Sequence, residues 1–200
     1  RVSGERLLTL LNDLLDLSKL EAGRMVLNLA PVRLEQLVGD ALSEFDALFQ
    51  SRHQKLVFQV AAGIPAPTVD AVRIGQVVRN LLSNASKFTP EGKGIHVSLN
   101  NCTLAGGLPG VALVVSDEGI GIPPAELEAV FDKFVQSSRT RTGAGGTGLG
   151  LAICQEIVTA HKGTITARAN PAGGVEFTIT LPLGDAPSPG CMAHVEHKEA

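Results

Sequence analysis

Apolar residues recur at three- and four-residue steps in four segments of the chain, which predicts four helices. The first segment, 4–22, carries a wide stripe of leucines and ends before Gly23. The other predicted helices run from Leu34 to Gln50, from a cap at Asp70 to about Phe88, and from Gly148 to His161. The leucine stripe of 4–22 is typical of an ordinary core helix and also of one helix of a dimeric bundle.

Six further segments carry the alternation or apolar runs of β-strands. They run from Met25 to Val32, Leu56 to Val60, Ile95 to Leu104, Val111 to Ser116, Thr164 to Ala169 and Val175 to Leu181. Residues 118–147 form a long predicted loop with one short helix near Ala125–Val130, and long loops in compact domains are usually functional or disordered. Because helices and strands intermix without regular βαβ alternation, we expect an α/β fold, a two-layer sandwich in which helices cover one face of a mixed β-sheet.

The pattern divides the 200 residues into three parts. Residues 1–24 are the leucine-rich helix, 25–183 the sandwich, and 184–200 a tail in which Pro, Gly and Ser replace any periodicity. No internal repeat is present. The first residue is Arg1 rather than Met, and we expect the chain to be part of a longer protein.

Composition narrows the function classes. Trp and Tyr are absent and aromatic residues total 4%, which argues against recognition of bases by aromatic stacking. The net charge of −3 provides no basic field for nucleic acid or an anionic membrane, so we expect no nucleic-acid partner. No apolar run is long enough to span a bilayer. The three cysteines lack metal-binding spacing, which suits a reducing compartment.

A polar face on the helix after Asp70 is the first candidate site. Gln76, Asn80, Asn84 and Lys87 fall at spacings of four, four and three, opposite the apolar face of that helix. Amide oxygens can ligate Mg²⁺ and an ammonium group can meet phosphate oxygens. The same residues are also compatible with a solvated helix surface.

The second candidate is Asp117–Gly121, which reads Asp-Glu-Gly-Ile-Gly directly after a predicted strand. Gly119 and Gly121 would let the backbone approach a flat ligand closely. The Asp117 carboxylate could accept a hydrogen bond from an amino group. In isolation the segment is more typical of a plain turn.

The third candidate is the glycine-rich run 143–150, which opens the last predicted helix. Backbone N–H groups at such a helix start can bind an anion, with help from the helix dipole. No Lys follows the final glycine and no strand directly precedes the run, so it is neither a P-loop nor a dinucleotide fingerprint. Four further residues lie between the second and third candidates: Phe131, Phe134, Arg139 and Arg141. The two phenylalanines would anchor the loop or form a small apolar cluster beneath it. The two arginines would bind phosphate or belong to an ordinary solvated surface.

Together and in this order, the elements resemble the catalytic region of sensor histidine kinases, within the superfamily that includes gyrase B, heat-shock chaperone ATPases and MutL. The resemblance rests on four boxes and covers roughly residues 4–183. These are the N-box Asn80–Thr89, the first glycine box Asp117–Gly121, the F-box Phe131–Phe134 and the second glycine box Gly145–Gly150. It implies a Bergerat-type ATP-binding fold for 25–183. It also implies that 1–24 is the end of the second helix of a dimerisation and histidine-phosphotransfer domain.

The resemblance also implies a role for each matching residue, with ATP and Mg²⁺ as cofactors. Asn84 would ligate Mg²⁺, supported by Asn80, and Lys87 would approach the phosphates. Asp117 would bind the adenine amino group. Arg139 or Arg141 would steady the γ-phosphate. The remaining nucleotide-binding positions are in the two glycine boxes: Gly119, Gly121, Gly146, Thr147, Gly148, Leu149 and Gly150.

The residue type at the position of Asn80 is expected to differ between superfamily members that hydrolyse ATP and those that transfer its phosphate. Hydrolytic members are expected to carry a Glu base at this position, and without a carboxylate to activate water the site suits phosphotransfer better than hydrolysis. The expected function is therefore transfer of the ATP γ-phosphate to a His of the dimerisation domain, for relay to an Asp of a response regulator receiver domain. A catalytically silent nucleotide-binding regulatory module and a gyrase- or MutL-like ATPase are the alternatives.

The family's phosphoacceptor motif is missing. No His is followed by an acidic residue and Arg-Thr-Pro-Leu, and His161 sits where the family often has a structural His at a helix end. We therefore expect this region to bind ATP but to lack its own acceptor. The parent protein is expected to be a homodimer with this region in the cytoplasm, and anchoring of the parent in the inner membrane stays open.

Overall fold

The computed structural model describes residues 26–139 and 147–183. The helices are α1 (Leu34–Ser51), α2 (Ala71–Phe88) and α3 (Gly150–Ala160). The strands are β1 (Ala30–Pro31), β2 (Lys55–Val60), β3 (Thr68–Val69), β4 (Gly94–Thr103), β5 (Pro109–Asp117), β6 (Thr164–Ala169) and β7 (Val175–Pro182). Short 3₁₀ turns lie at Ala105–Gly107, Pro124–Glu126 and Ala129–Phe131. The predicted helix at 4–22 and the predicted tail at 184–200 lie outside the described residues.

Five strands form one mixed sheet in the order β2-β4-β5-β7-β6. β2 runs parallel to β4, and the remaining neighbours are antiparallel. A separate two-stranded pairing joins β1 to β3. The mixed sheet with helices packed on it confirms the predicted α/β sandwich.

Alternation along the central strands points one row of side chains towards the helices. On β7 the residues Val175, Phe177, Ile179 and Leu181 are buried, and every intervening residue is partly exposed. The same inward rows on β4 and β5 join the apolar faces of α1, α2 and α3 in one core. The helices therefore pack against a single face of the sheet, as expected.

Helix α2 begins as its sequence predicts. The Oδ1 atom of Asp70 accepts from the N–H groups of Val72 at 3.0 Å and Arg73 at 3.1 Å, while Oδ2 accepts from the N–H of Asn28 at 2.9 Å. Burial raises the pKa of Asp70, but these backbone hydrogen bonds outweigh it and hold the pKa below its usual value. The cap fixes the start of the helix that carries the Asn80 face.

His161 ties the end of α3 to the start of α2. Its Nε2 accepts from the Asp70 N–H at 2.9 Å, which requires an unprotonated Nε2 and leaves Nδ1 to donate to the Ile157 carbonyl at 2.7 Å. The imidazole is buried. This geometry agrees with the structural role expected for His161.

Two predicted elements differ from the structure. Of the strand predicted over Met25–Val32, Met25 lies outside the described residues and the rest forms only the two residues of β1, because the Asn28 N–H donates to the Asp70 carboxylate and Pro31 has no N–H to donate. The single helix predicted near Ala125–Val130 is instead the pair of 3₁₀ turns at Pro124–Glu126 and Ala129–Phe131. Among the helices of the described residues, none combines the length and apolarity needed to cross a bilayer.

Candidate nucleotide-binding site

The polar face of α2 carries two coupled amides. The Nδ2 of Asn84 donates to the Oδ1 of Asn80 at 3.1 Å, across one helical turn. This bond engages the nitrogen of Asn84, so the amide oxygen is the atom that can face a cation. One turn further on, the Lys87 ammonium lies 4.7 Å from the centroid of the Phe88 ring, a cation–π contact.

The start of α3 lies directly against Asn80. A Cβ atom on Gly150 would come 2.5 Å from Nδ2 and 2.9 Å from Oδ1 of Asn80. Only glycine therefore allows the helix N-terminus to approach the amide pair this closely. The structure thus brings the Asn80–Asn84 pair and the predicted anion-binding helix start together.

Asp117 ends β5 and is buried. Its Oδ1 accepts from the N–H groups of Gly119 at 2.8 Å and Val175 at 3.4 Å. Burial raises the pKa of Asp117 to about 6, and the two backbone hydrogen bonds offset only part of that rise. Because Oδ1 is engaged, Oδ2 is the oxygen that can accept a hydrogen bond from a ligand.

The loop after Asp117 packs on the end of α2. The Ile120 N–H donates to the Phe88 carbonyl at 3.3 Å, and a Cβ on Gly119 would lie 2.5 Å from that carbonyl oxygen. Gly119 therefore lets this loop approach the Phe88 carbonyl closely, whereas the approach to a flat ligand expected from the sequence stays a prediction. Along α2, this contact at Phe88 and the Gly150 contact at Asn80 are eight residues apart, or about 12 Å.

Sequence reasoning missed a third contributor at the Asp117 end, the turn between β6 and β7. The Nδ2 of Asn170 donates to the Asp117 carbonyl at 2.8 Å and to the Ser116 hydroxyl at 3.1 Å. Gly174, at φ +85°, is packed so closely that a Cβ would overlap the Asp117 carbonyl. In the sequence, Asn-Pro-Ala-Gly-Gly signals only a turn between strands, and nothing local indicates which residue the turn contacts.

The second glycine box packs on the F-box. Gly148, at φ +71°, accepts from the Phe134 N–H at 2.9 Å, and a Cβ there would lie 2.8 Å from the Phe134 carbonyl carbon. Phe134 itself has a φ of +63° and an exposed side chain, whereas Phe131 is buried edge-to-face on Phe177. Phe131 is therefore the apolar anchor that the F-box was expected to supply, and the Phe134 ring is not.

Two of the predicted nucleotide-binding positions shape the start of α3. The Thr147 hydroxyl accepts from the Leu149 N–H at 3.1 Å. The Leu149 side chain is fully buried in the core, so its side chain contributes packing rather than a surface for a ligand. Gly146 lies outside the described residues.

Arg139 is engaged at the Asp117 end of the site. Its guanidinium donates to the Ile120 carbonyl at 2.8 Å and lies 3.4 Å from the position of a Cβ on Gly121, which has a φ of +69°. A role at the phosphates would require Arg139 to leave this contact. Arg141 lies outside the described residues.

Whether the site suits a divalent metal depends on which side-chain atoms could ligate it. In the part of the chain that the structure describes, no group of three or more His, Cys, Asp and Glu side chains could hold a metal ion. The amide oxygen of Asn84 is a hard ligand of the kind that Mg²⁺ accepts when phosphate oxygens and water complete its shell. The residues therefore fit a metal that arrives with a nucleotide.

A family comparison identifies this arrangement. Residues 69–185 match the family described as "Histidine kinase-, DNA gyrase B-, and HSP90-like ATPase", and this span holds all of the site described above. The chain belongs to this family.

Relatives within the family are sensor histidine kinases. Hybrid signal transduction histidine kinase D of Dictyostelium discoideum is 43% identical over 181 residues, which are 88% of this chain and 12% of the relative. Sensor histidine kinase TmoS of Ectopseudomonas mendocina is 38% identical over 190 residues, 94% of this chain and 19% of the relative. The chain thus spans less than a fifth of the length of either protein.

Solved structures agree in fold. Full-length ShkA in complex with AMPPNP superposes with a TM-score of 0.79 at 31% identity, covering 93% of this chain and 38% of ShkA. The catalytic domain of histidine kinase ThkA gives a TM-score of 0.67 at 27% identity, covering 78% of this chain and 96% of that domain. The chain therefore carries the ATP-binding catalytic domain of the histidine-kinase type.

Proposed function

We propose that this chain binds Mg²⁺-ATP and transfers the γ-phosphate to a His on the dimerisation and phosphotransfer domain of its parent kinase. From there the phosphoryl group would pass to an Asp on the receiver domain of a response regulator. The parent would act as a homodimer, as the leucine-rich segment 4–22 suggests. The similarity to sensor histidine kinases supports this proposal, and the site residues support it at each end of the nucleotide.

The base would bind at the Asp117 end. The exocyclic amino group of adenine is a neutral donor, and the Oδ2 of Asp117 is a carboxylate oxygen that can accept from it. The phosphates would extend towards Asn80, where the α3 N-terminus provides backbone N–H groups. About 12 Å of helix separates the two ends, a length comparable to that of an extended nucleotide.

The metal would be held through Asn84. Bound Mg²⁺ neutralises charge on the phosphate oxygens during phosphoryl transfer. The hydrogen bond from Nδ2 of Asn84 to Asn80 fixes the amide so that its oxygen can serve as a ligand. Lys87, one turn further towards the Asp117 end, would add a positive charge near the phosphates by leaving its contact over the Phe88 ring.

The reaction would be transfer rather than hydrolysis because of one observation: the polar pair beside the α3 N-terminus consists of two amides, Asn80 and Asn84. An amide cannot take a proton from water, so this pair supplies no general base. The neutral imidazole nitrogen of an acceptor His already has a lone pair. It would form the new N–P bond as the bond from the γ-phosphorus to the bridging oxygen breaks and ADP leaves.

The test combines this chain with Mg²⁺, ATP labelled at the γ-phosphate, and the parent's dimerisation domain as a separate polypeptide. The expected result is acid-labile, base-stable label on the acceptor, lost in the Asn84→Ala variant and retained in the Asn101→Ala control, whose side chain is exposed on β4.

Other outcomes would separate the alternatives. Tight ATP binding with no labelled acceptor would overturn the kinase proposal in favour of a regulatory nucleotide-binding module. Steady release of inorganic phosphate from ATP at ordinary enzyme rates, without an acceptor, would favour a gyrase- or MutL-like ATPase.

A further inference from the structure

The side chain of Asn170 connects the turn between β6 and β7 to Asp117. Both ends of the Asn170 amide are used: Oδ1 accepts from the Ala172 N–H at 3.0 Å, and Nδ2 donates to the Asp117 carbonyl at 2.8 Å and to the Ser116 hydroxyl at 3.1 Å. The first bond shapes the turn, and the other two connect it to the end of β5. Asn170 is thus positioned to transmit the geometry of one loop to the main chain of another.

The backbone of the turn reinforces this connection. The Asn170 N–H donates to the Gly174 carbonyl at 3.2 Å, and the Gly173 N–H donates to the Asn170 carbonyl at 2.9 Å. Val175, the next residue, gives its N–H to Oδ1 of Asp117 at 3.4 Å. Asp117 is therefore held from the turn at two points, its main-chain carbonyl and its carboxylate.

We infer that Asn170 is a positioning residue for selection of the nucleotide base. It holds the Asp117 peptide in the orientation that presents Oδ2 to the exocyclic amino group of adenine. The inference rests on the proposed function, because it assigns a base-selecting role to Asp117. Asn170 itself need not touch the nucleotide.

The physical reason is the close packing around the Asp117 carbonyl, which accepts the hydrogen bond from Asn170. The Asp117 side chain is buried, and a Cβ on Gly174 would overlap the Asp117 carbonyl, so protein atoms pack tightly on the main chain that the Asn170 amide holds. Without the Asn170 donor, the Asp117 carbonyl must turn towards another partner. That rotation moves the carboxylate off the N–H groups of Gly119 and Val175.

Base selectivity is the property that should respond. Adenine presents an amino donor to the carboxylate, whereas guanine presents a carbonyl oxygen at the same ring position and is repelled by it. A displaced carboxylate therefore weakens the binding of ATP and leaves the binding of GTP unchanged or stronger. The ratio of the two affinities is a readout that a uniform loss of stability would not move.

The experiment measures Mg²⁺-ATP and Mg²⁺-GTP binding by calorimetry for the wild type and two variants, at a temperature where circular dichroism shows each to be folded. Asn170→Asp keeps the Oδ1 acceptor for Ala172 but loses the donors to Asp117 and Ser116, and Asn170→Ala removes both. Asn101→Ala is the matched control, since its exposed amide makes only a long contact to the Ala62 carbonyl at 3.4 Å.

We expect both Asn170 variants to lose about tenfold in ATP affinity, the effect of about one hydrogen bond, with no loss for GTP. Wild-type preference for ATP retained in both folded variants would overturn the inference. A wild-type chain that binds neither nucleotide would overturn the proposed function instead. If Asn170→Ala does not fold, the Asn170→Asp variant decides alone, since its turn keeps the Oδ1 hydrogen bond.

Discussion

Replacing Asp117 with Asn should stabilise the ligand-free protein while removing its affinity for ATP. An Asn at this position keeps an oxygen in place of Oδ1 to accept from Gly119 and Val175. In place of Oδ2 it presents an N–H donor, which cannot accept from the adenine amino group. The substitution also removes a carboxylate that is buried in the native fold.

The magnitude follows from the pKa of Asp117, which burial raises from 3.8 to about 6. The folded protein therefore retains a proton that the unfolded chain releases between about pH 4 and pH 6, so stability falls as the pH rises through this window. Because one pKa unit is worth about 1.4 kcal/mol, the cost of the ionised carboxylate is about 3 kcal/mol at neutral pH. Asp117→Asn should recover up to that amount.

Urea unfolding across the pH range is the assay. We expect the variant to exceed the wild type by up to about 3 kcal/mol at about pH 7.5, with the difference disappearing at about pH 3, where Asp117 is protonated in both the folded and the unfolded chain. Asp40→Asn, an exposed substitution on α1, is the control and should leave stability unchanged. A variant less stable than the wild type at about pH 7.5 would refute the assignment of a buried, costly charge.

Three further predictions concern the phosphate end and the helix packing. Gly150→Ala is a substitution at the first position of α3 that displaces the end of the Asn80 side chain, so stability should change little in urea while calorimetry shows about tenfold weaker Mg²⁺-ATP binding; an unchanged affinity would contradict the close packing. Asn84→Ala should make ATP affinity insensitive to added Mg²⁺, whereas an intact Mg²⁺ dependence would exclude Asn84 as the ligand. His161→Phe leaves the buried Asp70 N–H unpaired and should cost about 1–3 kcal/mol in urea unfolding; a variant as stable as the wild type would show that this hydrogen bond contributes little.

Local periodicity was enough to predict most of the fold. Helix α2 matches its predicted bounds because an apolar stripe, a capping Asp70 and a break after Phe88 all act within a few residues. Strands β4 to β7 match for the same reason, since alternation is a local property. The strand predicted over Met25–Val32 is shorter in the structure because its extent depends on Asp70, more than forty residues away, which accepts from the Asn28 N–H.

The site was predictable only where a local pattern carries the chemistry. The spacing of Asn80 and Asn84 on one helix indicated a shared face, and their hydrogen bond follows from that spacing. The contact between Asn170 and Asp117 joins residues 53 positions apart, from the turn between β6 and β7 to the end of β5, and no spacing encodes it. Likewise, the close contact at Gly150 is with the Asn80 amide on another helix, which no local pattern around position 150 indicates.

The Asp117 end and the Asn80 end of the site differ in electrostatics, as the base and the phosphates of a nucleotide do. At the Asp117 end, burial raises the pKa of a carboxylate, and only backbone N–H groups offset that cost. Such an acceptor suits a neutral amino donor and would repel phosphate. At the Asn80 end, neutral amides and a helix N-terminus favour anions and supply no base. On the proposed function a nucleotide would therefore bind in one direction, with its base at Asp117 and its terminal phosphate at the end without a hydrolytic base.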